Sequence, residues 1–129
     1  MQNRNYPIDR EIELVRDKRI ISLKFLSFNE PIFEEHFPDM SIYPGSMIMN
    51  TVASSLESLI QNSNYKHLNT VPIEIKTAKF RKACLPGDLL KVEINLKNIE
   101  NKIYKFSFQV NEYFNGDLVC NGQMMIKAV

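Results

Sequence analysis

Three kinds of segment follow from the way apolar and polar residues are arranged along the chain. From Ile20 to Leu26, Ile21, Leu23 and Phe25 alternate with Ser22, Lys24 and Leu26, close to the two-residue period of a strand. The next stretch, NEPIFEEHFPDMSIYPG, has no period. Pro31, Pro38 and Pro44 fix φ and remove backbone donors there, so an ordered loop is expected rather than a helix or strand. This loop carries Ile32, Phe33, Phe37, Met40, Ile42 and Tyr43, and a loop so apolar has to pack against something.

At Ser46 the pattern changes. Met47, Ile48, Met49, Val52, Ala53, Leu56, Leu59 and Ile60 predict a helix that is apolar around most of its circumference, central and covered on most sides. Gly45 and Ser46 suit its N-terminal boundary. Ser46, Asn50 and Ser54 recur at i, i+4 and i+8 and form one polar stripe on it. Such a stripe either faces a polar seam or bonds back to the helix backbone.

Residues 61–70, QNSNYKHLNT, read as a polar loop in which His67 is a solvated histidine. The rest of the chain reads as strands. IEIKTAKF (73–80) alternates, CLPGD breaks it, and LLKVEINLKNI, YKFSFQVNEYF and DLVCNGQMMIKAV follow, with a turn at Asn115-Gly116. One early strand, one buried helix and a run of antiparallel strands make a single α+β domain over 1–129, its sheet wrapped around the helix.

Composition narrows the function classes. A chain of 129 residues with 44% hydrophobic and 24% charged residues can bury a core without disulfides or metals. Net charge is +1, so nothing global points to nucleic acid or an anionic membrane. Cys84 and Cys120 lie far apart in no metal-ligand spacing, and packed, reduced thiols are the expectation. The charged N-terminal run has no apolar core of a secretory signal, and no apolar run approaches the roughly 20 residues of a membrane span. A cytoplasmic protein is therefore expected.

The loop and the segment after the helix carry a resemblance. Asn29-Glu30-Pro31-Ile32-Phe33-Glu34-Glu35-His36-Phe37-Pro38, followed by Ile42-Tyr43-Pro44-Gly45, is similar to the signature of the bacterial 3-hydroxyacyl-[acyl-carrier-protein] dehydratases of the hot-dog fold. Ala78-Lys79-Phe80-Arg81-Lys82-Ala83-Cys84-Leu85-Pro86-Gly87-Asp88 matches a second segment, and DKRIISLK (17–24) the strand before the motif. The resemblance spans nearly the whole chain and implies an antiparallel sheet around a central helix.

By that resemblance His36 takes or relays the Cα proton as water is lost from a 3-hydroxyacyl thioester. Imidazole suits the task because its unperturbed pKa, roughly 6.5, lies near working pH. Gly45 corresponds to the glycine whose N–H, at the start of the helix, bonds the thioester carbonyl. Helix N-terminal amides are unsatisfied donors in a partial positive field and suit a developing enolate oxygen. Phe33, Phe37, Tyr43, Pro44, Ser46 and Ser54 are candidate substrate-binding residues. Phe33, Met47 and Ile48 are candidate lining for the acyl tail, and Tyr43 for its entrance.

One departure matters. The family's second catalytic residue is a Glu or Asp fourteen positions after the histidine, and here that position is Asn50. A carboxamide has no proton to give at neutral pH. Ser54 stands where the family usually has Gln, and Asp39 and Ser41 replace the usual Gly and Pro. Four readings stay open. The first is a divergent dehydratase of fatty-acid or specialised polyene or lipid biosynthesis, using His36 alone or with a water on Asn50. The second is a hot-dog thioesterase, with Asn50 orienting a water and the Gly45 N–H holding the oxyanion. The third is a non-catalytic subunit pairing with a homologous chain that supplies the carboxylate. The fourth is a deliberate substitution that traps substrate.

The resemblance also implies partners. Lys79, Arg81 and Lys82, with Lys76 nearby, are candidate contacts to an acidic acyl-carrier protein bearing the acyl chain on a phosphopantetheine arm. A homodimer or higher oligomer is implied, or a heterodimer with a homologous chain. Neither a cofactor nor a metal is implied.

Overall fold

The computed structural model describes residues 8–27 and 43–128. Arg10–Val15 forms β1, Arg19–Phe25 β2, Gly45–Gln61 the long helix α1, and Lys66–Thr70 a short 3-10 helix. Glu74–Phe80, Leu89–Glu100, Ile103–Glu112 and Leu118–Lys127 form β3, β4, β5 and β6. The six strands make one sheet in the order β1-β2-β4-β5-β6-β3 with every neighbour antiparallel. One long helix against this curved antiparallel sheet is the hot-dog arrangement, as the resemblance implied.

Strand β1 was hidden in a stretch read only for its charge. Glu11 and Glu13 alternate with Ile12 and Leu14, a period-two signal, but every β1 residue is exposed and no core face marks it. In β2 the burial phase differs from the one the hydrophobic positions suggest. Ile20, Ser22, Lys24 and Leu26 are buried, whereas Ile21 and Leu23 are half-buried and Phe25 is exposed. Two polar residues therefore lie on the inner face, and the large apolar ones sit between β1 and β4 on the outer face.

Helix α1 packs on β2 and β4 through one broad face made of Ile48, Thr51, Val52, Ser55, Leu56, Leu59 and Ile60. Each large aliphatic side chain buried there contributes roughly 2 kcal/mol of gross burial. The expectation that the helix is covered on most sides needs correction for the single chain. Met47, Met49 and Ala53 are half-buried, and Ser46, Asn50 and Glu57 are exposed. The sheet reaches around one side only.

The segment read as a polar loop is more ordered than its composition suggests. Tyr65 and Leu68 are buried, and Tyr65 packs against Tyr104 and Phe106 with ring centroids 5.2 and 6.4 Å away. The Tyr65 hydroxyl donates to the Asp17 carbonyl at 2.8 Å, tying the β1–β2 turn to the end of the helix. Burial, then the Asp17 carboxylate, pushes the Tyr65 phenol up to about 12. His67 is exposed, as expected of a solvated residue. The Asn115-Gly116 turn forms between β5 and β6, with Gly116 at φ 77°. Among the described residues no helix is long and apolar enough to cross a membrane.

Candidate active site

The first turn of α1 is left bare by its sequence. Pro44 occupies the N-cap position, no side chain caps the turn, and no acidic residue lies in it. The Met47 and Ile48 amides donate to the Pro44 carbonyl at 3.0 and 3.2 Å. The Gly45 and Ser46 amides donate to nothing among the described residues. Two open donors at the positive end of a helix favour an oxygen that carries or gains negative charge. Ser, Thr, Asp or Asn at the cap would have satisfied one of them.

The Phe80 ring at the end of β3 lies beside Gly45. A Cβ on residue 45 would stand 3.1 Å from both Cε1 and Cζ of that ring, tight enough that the ring would have to give by a few tenths of an ångström. From there the polar stripe runs along the uncovered side of the helix. Ser46 and Asn50 are exposed, and Ser54 is half-buried. The Asn50 Nδ2 lies 3.7 Å from the Met47 sulfur, a soft contact, and its carbonyl oxygen has no donor among the described residues. Thr51 bonds back to the Met47 carbonyl at 3.3 Å, so on this turn the back-bonding residue is Thr51 rather than a member of the stripe.

His36, Phe33 and Phe37 lie outside the described residues. The chain on either side of their segment is nonetheless held at one place. Leu26 donates to the Asp88 carbonyl at 2.9 Å, and Gly87 donates to the Leu26 carbonyl at 2.6 Å. On the other side, Tyr43 donates to the Cys84 carbonyl at 2.8 Å and is itself buried. The turn around Leu85-Pro86-Gly87-Asp88 thus anchors the chain both before and after the His36-bearing segment, and α1 begins immediately after the second anchor. Asp88 fastens the turn by accepting from the Leu85 amide at 2.8 Å.

Among the candidate lining residues, Ile48 is buried in the core and Met47 is half-buried on the way to the stripe. Pro44 is half-buried beside Gly45. Cys84 and Cys120 are fully buried free thiols. Burial, then the carboxylates of Asp88 and Glu112, pushes the Cys84 thiol up to about 12, and burial pushes Cys120 up to about 11. Neither is a nucleophile at neutral pH.

The basic residues separate into two groups. Lys79 and Arg81 line a cavity of about 510 Å³ on the outer face of the sheet, with Lys97, Asn95, Asn121 and Gln123. Lys82 instead donates to Asp117 at 2.7 Å and to Glu112 at 2.8 Å. Hydrogen bonds to Asp117 and Glu112 hold the Lys82 ammonium well above its ordinary value, and the bonds from Lys82 and Asn115 lower the Glu112 carboxyl. The Lys82 charge is offset within the chain, whereas Lys79 and Arg81 share their cavity with Glu93 but form no ion pair among the described residues.

Sequence reasoning passed over Phe80 as part of this arrangement. It was quoted as part of a motif, but a residue near the end of an alternating strand does not reveal which element its ring meets.

Residues 12–123 match the ApeI-like family, ApeI dehydratase, and the chain belongs to that family. The 3-hydroxyacyl-[acyl-carrier-protein] dehydratase FabZ of Magnetococcus marinus is 31% identical over 121 residues, covering 92% of this chain and 78% of that protein. The bifunctional enzyme LpxC/FabZ of Chlorobaculum tepidum is 34% identical over 120 residues, 92% of this chain, and this chain spans 25% of its length. Among solved structures, the dehydratase heterocomplex ApeI:P from Xenorhabdus doucetiae superposes with a TM-score of 0.66 at 18% identity, over 92% of this chain and 97% of that one. Zebrafish thioesterase superfamily member 2 superposes with a TM-score of 0.68 at 12% identity, over 92% and 80%. At these identities both structures show the hot-dog fold alone.

Proposed function

We propose that this chain removes water from a 3-hydroxyacyl thioester delivered by an acyl-carrier protein, in fatty-acid or specialised polyene or lipid biosynthesis. The observation that carries the reading is the pair of open amides at Gly45 and Ser46, reached directly from the anchored end of the His36-bearing segment, in a chain of a dehydratase family. In this reading the thioester carbonyl accepts from the Gly45 amide. His36 takes the proton from C2, the electron pair forms the C2–C3 double bond, and the C3–O bond breaks. The hydroxyl leaves as water with the proton returned by the His36 imidazolium, directly or through a water on Asn50. Proton and oxygen balance, and the product is the 2-enoyl thioester. Tyr43, Pro44, Ser46 and Ser54 border the acyl group, and Lys79 and Arg81 meet the carrier. Lys82 braces the β5–β6 turn.

A second reading rests on the open side of the molecule. Ser46 and Asn50 of the stripe are exposed, Ser54 is half-buried, and β3 is an edge strand with Ile75 49% and Phe80 48% exposed. A second chain paired along β3 would cover both, and a homologous chain could bring the carboxylate that Asn50 lacks. That a protein of this fold was solved as a dehydratase heterocomplex supports a paired assembly, though not a particular interface.

The test follows the intact mass of an acyl-carrier protein loaded with a 3-hydroxyacyl chain, with wild type, His36→Ala and Asn50→Glu side by side. Loss of one water that depends on His36 is expected. Asn50→Glu is expected to raise the rate about a hundredfold by supplying an acid. Loss of the whole acyl group would instead mean hydrolysis. An unchanged mass with the wild-type chain would overturn the catalytic reading of the lone chain and leave the pairing subunit.

A further inference from the structure

Phe80 ends an edge strand, yet its ring is not simply left in solvent. Side chains alternate across β3, so Lys79 and Arg81 look to the outer cavity while Phe80 looks to the helix. Its ring edge is seated on Gly45, where Cε1, Cζ and Cε2 lie 3.1, 3.1 and 3.5 Å from the place a Cβ would occupy. That residue opens α1 and carries one of the two unused amides.

We propose that Phe80 is a positioning residue whose ring walls the open amides of Gly45 and Ser46, holding the thioester carbonyl against them and keeping water from that side. The inference rests on the reading of the Gly45 amide as the carbonyl's donor. An apolar wall lowers the local dielectric, which strengthens a hydrogen bond to an oxygen that gains negative charge. The same wall removes water that would compete for the donors. It also accounts for glycine at position 45, because a methyl there would press on the ring. Charge on the carbonyl oxygen grows toward the transition state, so the effect falls on kcat more than on KM.

The experiment measures kcat and KM for dehydration of the carrier-bound 3-hydroxyacyl chain. It uses wild type, Phe80→Ala, Phe80→Leu, Gly45→Ala and the double variant Gly45→Ala/Phe80→Ala. Thermal midpoint and oligomer mass are recorded for each. Phe80→Ala is expected to lower kcat by on the order of tenfold or more with KM little changed, as misplacement at a reacting centre does. Phe80→Leu, which keeps an apolar wall, recovers most of that loss. Gly45→Ala is expected to be poorly active, and removing the ring in the same chain to restore part of its rate, because the methyl then has room. Active wild type with unaltered kcat in Phe80→Ala would overturn the inference alone. So would a double variant no better than Gly45→Ala, or equal losses in Phe80→Ala and Phe80→Leu that track a lowered thermal midpoint. Wild-type protein that leaves the carrier mass unchanged would overturn the dehydratase reading and this inference together.

Discussion

The two edges of the sheet are finished in different ways. Both β1 and β3 carry a register shift, at Glu11/Glu13 and at Ile75/Thr77, and both are studded with charge, which blunts strand-to-strand aggregation. Strand β1 and the residues flanking it are also tied down by side-chain hydrogen bonds. Ser58 of the helix donates to Glu11, Phe25 donates to Asp9 at 2.5 Å, and the adjoining turn is fixed by Asn64 and Tyr65 on Asp17. Strand β3 has its ladder to β6 and a half-exposed face that ends in Phe80 over the helix N-terminus. The edge fastened by side chains lies beside the helix's C-terminal end, and the more exposed edge borders its N-terminal end. Among the described residues, the side-chain ion pair on β3 is Glu74 with Lys127 of β6 at 3.8 Å.

The largest effect that would break this contrast is expected at Gly122, where β6 passes β3. A Cβ there would collide with the Thr77 carbonyl oxygen and come within 2.8 Å of Phe108 Cζ. Gly122→Ala should lower stability by about 3 kcal/mol in urea unfolding and raise amide exchange along β3 first.

Alkali should act on the same side, because Cys120 pairs with Phe80 across the β3–β6 ladder. The Cys120 and Cys84 thiols titrate near 11 and 12 in the folded chain against 9.0 in the open one. The folded state therefore holds these protons more tightly. Their contribution is intact below pH 9 and is lost as pH rises from there toward 11 and 12. Stability measured against pH should fall above pH 9, and a thiol reagent should leave both cysteines untouched in the folded protein at neutral pH.

The smallest effect sharpens the contrast from the other edge. Tyr65→Phe removes the bond to the Asp17 carbonyl and should cost about 1 kcal/mol, with faster exchange in β1 and unchanged exchange in β3.

How much of this was legible before the structure depended on whether burial and pattern coincide. Strands β3 to β6 and helix α1 were read to within a residue or two, because each carries one clear period between turn-forming residues. Strand β1 escaped because both of its faces meet solvent. The inner face of β2 was not legible from its alternation, because Ser22 and Lys24 are among its buried positions. For the candidate site, the bare helix start at Pro44-Gly45-Ser46 and the polar stripe could be located from residue types and spacing. Phe80 could not, since a ring at a strand end meets the helix only once the strand order places it there.

The sequence by itself determined the α+β class, the position of the helix and the motif that marks the family, all of which depend on local periods, turn residues and the order of short segments. Which side of the helix is covered, which lysines are already paired and what stands over Gly45 were decided by tertiary structure alone. Those properties depend on contacts between residues far apart in the chain: Lys82 with Glu112 and Asp117, Tyr43 with Cys84, and Phe80 with Gly45. Local pattern sets which face of an element is apolar, but only the packed arrangement sets what that face meets.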